Sequence, residues 1–172
     1  DVWDVGANVG LFSVSASLAG RRCISFELSP KAHRLLEKTK ASNQLDFEII
    51  HRPLSIEPVQ YWAPKSSNAE NSLVFDPQGD QTSMTFEEAL KQFGVPALIK
   101  MDIEGAELEA LKGAEETLHR YRPKLAISVY HSLPDFWTIP QWLDGLGLGY
   151  RFHLRKFTIH AEETVLFAEA PQ

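Results

Sequence analysis

Short apolar runs, separated by glycine, proline and polar breaks, recur along this chain at a spacing that predicts alternating strands and helices. Val2, Trp3 and Val5 supply β-favouring side chains, and Gly6 and Gly10 then interrupt the strand. Residues 11–19 follow as a small-residue helix ended by Gly20. A second strand is expected at 23–26. Ser29 then caps a helix with Pro30 in its first turn, running through Ala32, Leu35, Leu36 and Thr39. Residues 47–51 make a third strand, which Pro53 prevents from continuing as a central one.

Between Ser55 and Asp80 the rhythm lapses. Residues 59–62 and 72–75 read as two short strands flanking a polar, turn-rich loop at 64–71. Thr85 and Glu88 sit in the reciprocal positions of a capping box, opening a short helix that Gly94 closes. Residues 97–103 form a nearly continuous apolar run of the kind found in central parallel strands. Period two places Lys100, Asp102 and Glu104 on one side of it. Gly105 turns the chain into one helix carrying Glu107, Leu108, Leu111, Leu118 and Tyr121, with its acids at the favourable N-terminal end. The strand at 124–130 delivers Tyr130 and His131 to its C-terminal tip. A helical piece at 134–145 is expected to break or restart at Pro140, anchored by Trp137 and Trp142. Residues 150–155 and 163–168 read as an antiparallel pair joined by the loop at His160.

This order of elements predicts a three-layer α/β fold with a mostly parallel sheet and an antiparallel C-terminal strand. Ligands in such sheets bind beyond the carboxyl ends of the strands. The segments 4–10, 27, 102–107 and 130–131 all fall on that one rim. The 172 residues fit a single domain, 1–172, and a chain opening directly in its first strand is expected to lack N-terminal elements. A formal net charge of -6 argues against nucleic acid as the main partner. Cys23 is the one cysteine, which excludes an internal disulfide and fits a reducing, cytoplasmic setting. No apolar run approaches the ~20 residues of a membrane span.

The turn from Asp4 to Gly10 combines strand, glycines and helix N-terminus, a site for a nucleotide-like ligand. Asn8 occupies the place of the second glycine of a dinucleotide fingerprint, and Asp4 before Gly6 suits a cation better than a pyrophosphate. Both features point to S-adenosylmethionine, with its ammonium and sulfonium. Glu27 lies about twenty residues beyond Gly6, the spacing at which a strand-tip carboxylate accepts ribose hydroxyls. A non-catalytic S-adenosylmethionine-binding domain and a nucleotide-dependent oxidoreductase remain the alternatives.

The stretches 4–10, 26–30 and especially Lys100-Met101-Asp102-Ile103-Glu104-Gly105-Ala106-Glu107 resemble the FkbM family of S-adenosylmethionine-dependent methyltransferases. The segments 154–156 and 163–167 resemble its last two strands, so the likeness spans essentially the whole chain. The resemblance implies a class I methyltransferase fold, Rossmann-like, with seven strands of which the last is antiparallel. It implies methylation of a hydroxyl on a small molecule, sugar or polyketide-like. Asp4, Gly6, Ala7, Asn8, Gly10, Glu27 and Leu28 are then the expected cofactor-binding residues, and His131, Asp102 and Glu104 the expected catalytic ones. His131 has the intrinsic pKa best suited to a base, and Asp102 orients the acceptor or takes the proton itself. The alternative to a base is a divalent cation held by the acids at 102, 104 and 107. Glu87 and Ser128 depart from the family pattern, which expects an aspartate and a glutamate there.

Overall fold

The computed structural model describes residues 1–62, 76–159 and 163–171. Along the chain lie β1 (Val2–Val5), α1 (Leu11–Leu18), β2 (Cys23–Phe26), α2 (Pro30–Ser42), β3 (Glu48–Ile50), β4 (Leu54–Ser55) and β5 (Gln60–Tyr61). Then come β6 (Gln81–Thr82), β7 (Met84–Thr85), α3 (Phe86–Phe93), β8 (Leu98–Met101), α4 (Glu107–Gly113) and α5 (Glu115–Tyr121). The chain closes with β9 (Lys124–Ser128), α6 (Asp135–Gly145), β10 (Arg151–Lys156) and β11 (Thr164–Glu169). Seven strands form one sheet in the order β10-β11-β9-β8-β1-β2-β3. Pairing is parallel from β9 through β8, β1 and β2 to β3, while β11 runs antiparallel to both β9 and β10. The expected mostly parallel α/β sheet with an antiparallel last strand is the one observed.

Alternation along the central strands sorts side chains into two cores, one on each face of the sheet. Trp3, Val5, Ile24, Phe26, Ile99 and Met101 point to the face covered by α3 through α6. Val2 and Cys23 point the other way, where Ala16 of α1 and Leu36 of α2 cover them. The same second face carries the polar residues of β1 and β2. Ser13 of α1 donates to Asp4 Oδ2 at 2.6 Å and lies 2.8 Å from the Ser25 hydroxyl. Asp4, Ser13 and Ser25 are fully buried and depend on one another for hydrogen bonds.

Four sequence expectations change. The helix after Gly105 is two helices meeting at Ala114, whose φ of -90° and ψ of 0° leave the helical path; Gly113 just before it abuts the Ile56 backbone, where a Cβ would lie 3.0 Å from Ile56 Cα. Conversely, α6 runs straight through Pro140. It tolerates the missing hydrogen bond because Ile139 and Leu143, one turn apart, are fully buried in the core. Trp137 lies on the opposite side of that helix and is 47% exposed, so Ile139 and Leu143 are the anchors in its place. The capping box is half made. Thr85 accepts from the Glu88 amide at 3.1 Å, but the Glu88 carboxylate pairs with Arg52.

In the lapse of the rhythm, β4 pairs parallel with β7 and β5 antiparallel with β6. The expected strand at 72–75, the loop at 64–71 and His160 lie outside the described residues. Among the described residues no helix is long and apolar enough to cross a membrane.

Candidate active site

The rim is built where β1, β2, β8 and β9 end. After β1 the chain makes a tight turn in which Gly6, Asn8 and Gly10 all have positive φ, at 80°, 49° and 91°. The amides of Gly6 and Ala7 both donate to the Phe26 carbonyl, at 2.9 and 3.0 Å, which ties the turn to β2. Gly6 is glycine because of its neighbour: a Cβ there would lie 1.9 Å from the Asp102 carbonyl oxygen. The close approach is therefore between two loops of the rim. At Gly10, the N-cap of α1, a Cβ would press on the Leu36 side chain at 2.4 Å. Ala7 is buried under the turn, and Asn8 at its crest is exposed.

Glu27 is held at the tip of β2 by two backbone donors. The Asn8 amide donates to Oε2 at 2.7 Å and the Ser29 amide to Oε1 at 2.6 Å. The carboxylate thus clamps the glycine turn to the start of α2 and still has lone pairs to offer a hydroxyl. Leu28 follows, half-buried, with its carbonyl 2.6 Å from His51 Nε2. The ring of His51 packs at a tilt against His33, centroids 4.7 Å apart, an aromatic pair beside Leu28 that neither residue's pattern in the sequence announces.

Asp4 does face a cation, and that cation is Lys100. The two are register partners on β1 and β8, with Nζ 3.0 Å from Asp4 Oδ1. Lys100 also donates to the Gly6 carbonyl at 2.8 Å and reaches Asp102 Oδ2 at 3.8 Å. One half-buried ammonium therefore connects the glycine turn to the next loop of the rim.

That loop, 102–106, carries the acids. Glu104 and Gly105 take positive φ, 58° and 95°, which swings the chain from β8 into α4. Glu107 comes out fully buried at the first position of α4, and its Oε1 accepts from the Ile103 amide at 2.8 Å. Opposite, after β9, His131 stands among three carboxylates. Nδ1 lies 3.0 Å from Glu107 Oε1, and Nε2 lies 3.5 Å from Asp102 Oδ1 and 3.6 Å from Glu104 Oε2. Burial alone would lower the imidazole pKa; Glu107 beside it and the charges of Asp102 and Glu104 outweigh that and raise it. Tyr130 packs at a tilt against His131 with centroids 4.2 Å apart and donates to Asp102 Oδ1 at 3.2 Å. Burial and the adjacent Asp102 push its phenol pKa up, so it stays a donor. Asp135, buried at the start of α6, also has its carboxyl pKa raised, by burial first and then by the charge of Glu107.

The structure brings Asp102, Glu104 and His131 together with Glu107 and Tyr130, all from the two segments that the sequence places on the rim, and adds Asp135. Glu107 was legible as the last acid of Asp102-Ile103-Glu104-Gly105-Ala106-Glu107. Asp135 was hidden in an ordinary helix start.

Residues 4–152 match the family described as Methyltransferase FkbM domain. The chain belongs to that family. No curated protein sequence matches it. Among solved structures, an FkbM methyltransferase from Methylobacillus flagellatus KT is similar at 23% identity with a TM-score of 0.73, over 98% of this chain and 43% of that one. An rRNA methylase from Streptococcus thermophilus is similar at 14% identity and TM-score 0.62, over 99% of this chain and 86% of that one. A magnesium protoporphyrin IX methyltransferase from Synechocystis PCC 6803, solved with bound SAM, is similar at 13% and 0.59, over 99% and 69%. The FkbM domain thus spans less than half the length of the Methylobacillus protein, and these likenesses establish its fold, that of class I methyltransferases.

Proposed function

We propose that this FkbM domain transfers a methyl group from S-adenosylmethionine to a hydroxyl of a small molecule, sugar or polyketide-like. The observation that carries the reading is the contact between Gly6 and Asp102, which sets the glycine turn directly against the acid and histidine cluster. The residues present suit the cofactor. Glu27 offers a fixed carboxylate for a ribose diol, and the exposed crest at Asn8 leaves the turn open above it. Asp4, Gly6, Ala7, Asn8, Gly10 and Leu28 complete that side, Asp4 from beneath through Lys100.

The bound cofactor supplies a sulfonium methyl: the acceptor oxygen forms the new C–O bond as the C–S bond breaks, and the electron pair stays on sulfur. This chain's residues hold the two partners in line, which is where much of the rate of a displacement arises. Asp102, kept in place by Tyr130, orients the acceptor hydroxyl, and the proton passes into the group formed by His131, Asp102 and Glu104. The net charge of -6 favours a small acceptor over a nucleic acid.

Methyl-labelled S-adenosylmethionine offered with a panel of sugars and hydroxylated polyketides tests the reading. Label should appear on an acceptor oxygen, and His131→Ala should lower kcat by about 10² while leaving cofactor affinity nearly unchanged. A folded His131→Ala protein with wild-type kcat would remove the cluster from the chemistry. Hydride exchange with a nicotinamide cofactor would replace the reading with an oxidoreductase.

A further inference from the structure

Charge is unevenly settled at the rim. Lys100 answers Asp4 at 3.0 Å and stands farther, 3.8 Å, from Asp102. Asp102, Glu104 and Glu107 are left around one imidazole, and Glu107 is buried. Glu107 is fully buried, yet its Oε2 has no hydrogen-bond partner among the described residues; the same holds for Oδ2 of Asp135. His131, with a side chain only 8% exposed, approaches its carboxylates without hydrogen-bond alignment at either ring nitrogen. Buried carboxylate oxygens without donors are costly unless a cation meets them.

We propose that Asp102, Glu107 and His131 form a site for a divalent cation. One donor atom from each lies within 4.8 Å of the other two, and the three come from separate elements: the end of β8, the start of α4 and the loop after β9. His131 turns one nitrogen to Glu107 and the other to Asp102. Two carboxylates with one imidazole favour an ion that accepts oxygen and nitrogen alike, such as Mn²⁺, over Ca²⁺, which prefers oxygen alone. The ion's binding is independent of methyl transfer. Its use rests on the reading above: beside the acceptor it would polarise the hydroxyl, and exposed Glu104 would take the proton.

Titration of the EDTA-treated chain with Mn²⁺, followed by electron paramagnetic resonance without S-adenosylmethionine, tests the site. One Mn²⁺ should bind per chain, at least tenfold more weakly in Asp102→Asn, Glu107→Gln and His131→Ala. Glu115→Gln, an exposed acid on α5, should bind as wild type does. The wild-type signal should also show coupling to an imidazole nitrogen, a readout that needs no variant. No stoichiometric binding by the folded wild type, no nitrogen coupling, or unchanged binding in the three folded variants would overturn the proposal. Calorimetry with S-adenosylmethionine in EDTA separates the two readings: cofactor binding without Mn²⁺ binding sinks the metal site alone, and the converse sinks methyl transfer alone.

Discussion

Gly6 is held to glycine by a contact that its place in the sequence does not announce. The sequence marks it as a glycine that lets a ligand approach, whereas the structure shows the Asp102 carbonyl filling the space a Cβ would need. Gly6→Ala should therefore push the two loops apart, lowering thermal stability and weakening cofactor binding together. Wild-type stability with full affinity would show that the loops do not depend on this contact. Cys23 makes the opposite case, a side chain governed wholly by its burial in β2. It is fully buried, and burial first, then the charge of Asp4, pushes its thiol up to about 11. Native protein at pH 8 should thus label with a thiol reagent only as fast as it unfolds, and rapid labelling of folded protein would contradict the burial. Asp135 was not legible because helix-start acids are common; only the fold places it beside Glu107.

Elements were most legible where one face is buried against a regular partner. Strands β1, β2, β8 and β9 announce themselves as short apolar runs because they are central in the sheet and largely buried. The break between α4 and α5 was not legible, since Gly113 beside it packs on Ile56, far away in sequence. The partner of β5 likewise comes from Gln81–Thr82, a pair of polar residues with no strand signature. Between β1 and β8, the register partners Asp4 and Lys100 form an ion pair across the strands. Lys100→Met should destabilise by about 3–5 kcal/mol, because it leaves the fully buried Asp4 charge uncompensated. Combining it with Asp4→Asn should recover much of that loss. A double variant no more stable than the single one would mean that the two residues do not act as a pair.

Across the whole molecule, the sheet order brings the ends of β1, β2, β8 and β9 to one rim, and every sequence-expected site residue lies there. The rim was legible because strand–helix alternation fixes where ligands gather in such sheets. The ties across it, Glu27 to Asn8 and Lys100 to Gly6, were not, since they join residues 19 and 94 positions apart. Binding of S-adenosylmethionine at this rim is predicted to run through Glu27. Calorimetry on the wild type and on Glu27→Ala, with circular dichroism to verify the fold, tests it most directly. S-adenosylmethionine and S-adenosylhomocysteine should bind the wild type and NAD should not. Loss of a charge-assisted contact worth about 1.5–3 kcal/mol should weaken the variant at least tenfold. Equal affinity in a folded Glu27→Ala protein, or a preference for NAD, would contradict the claim.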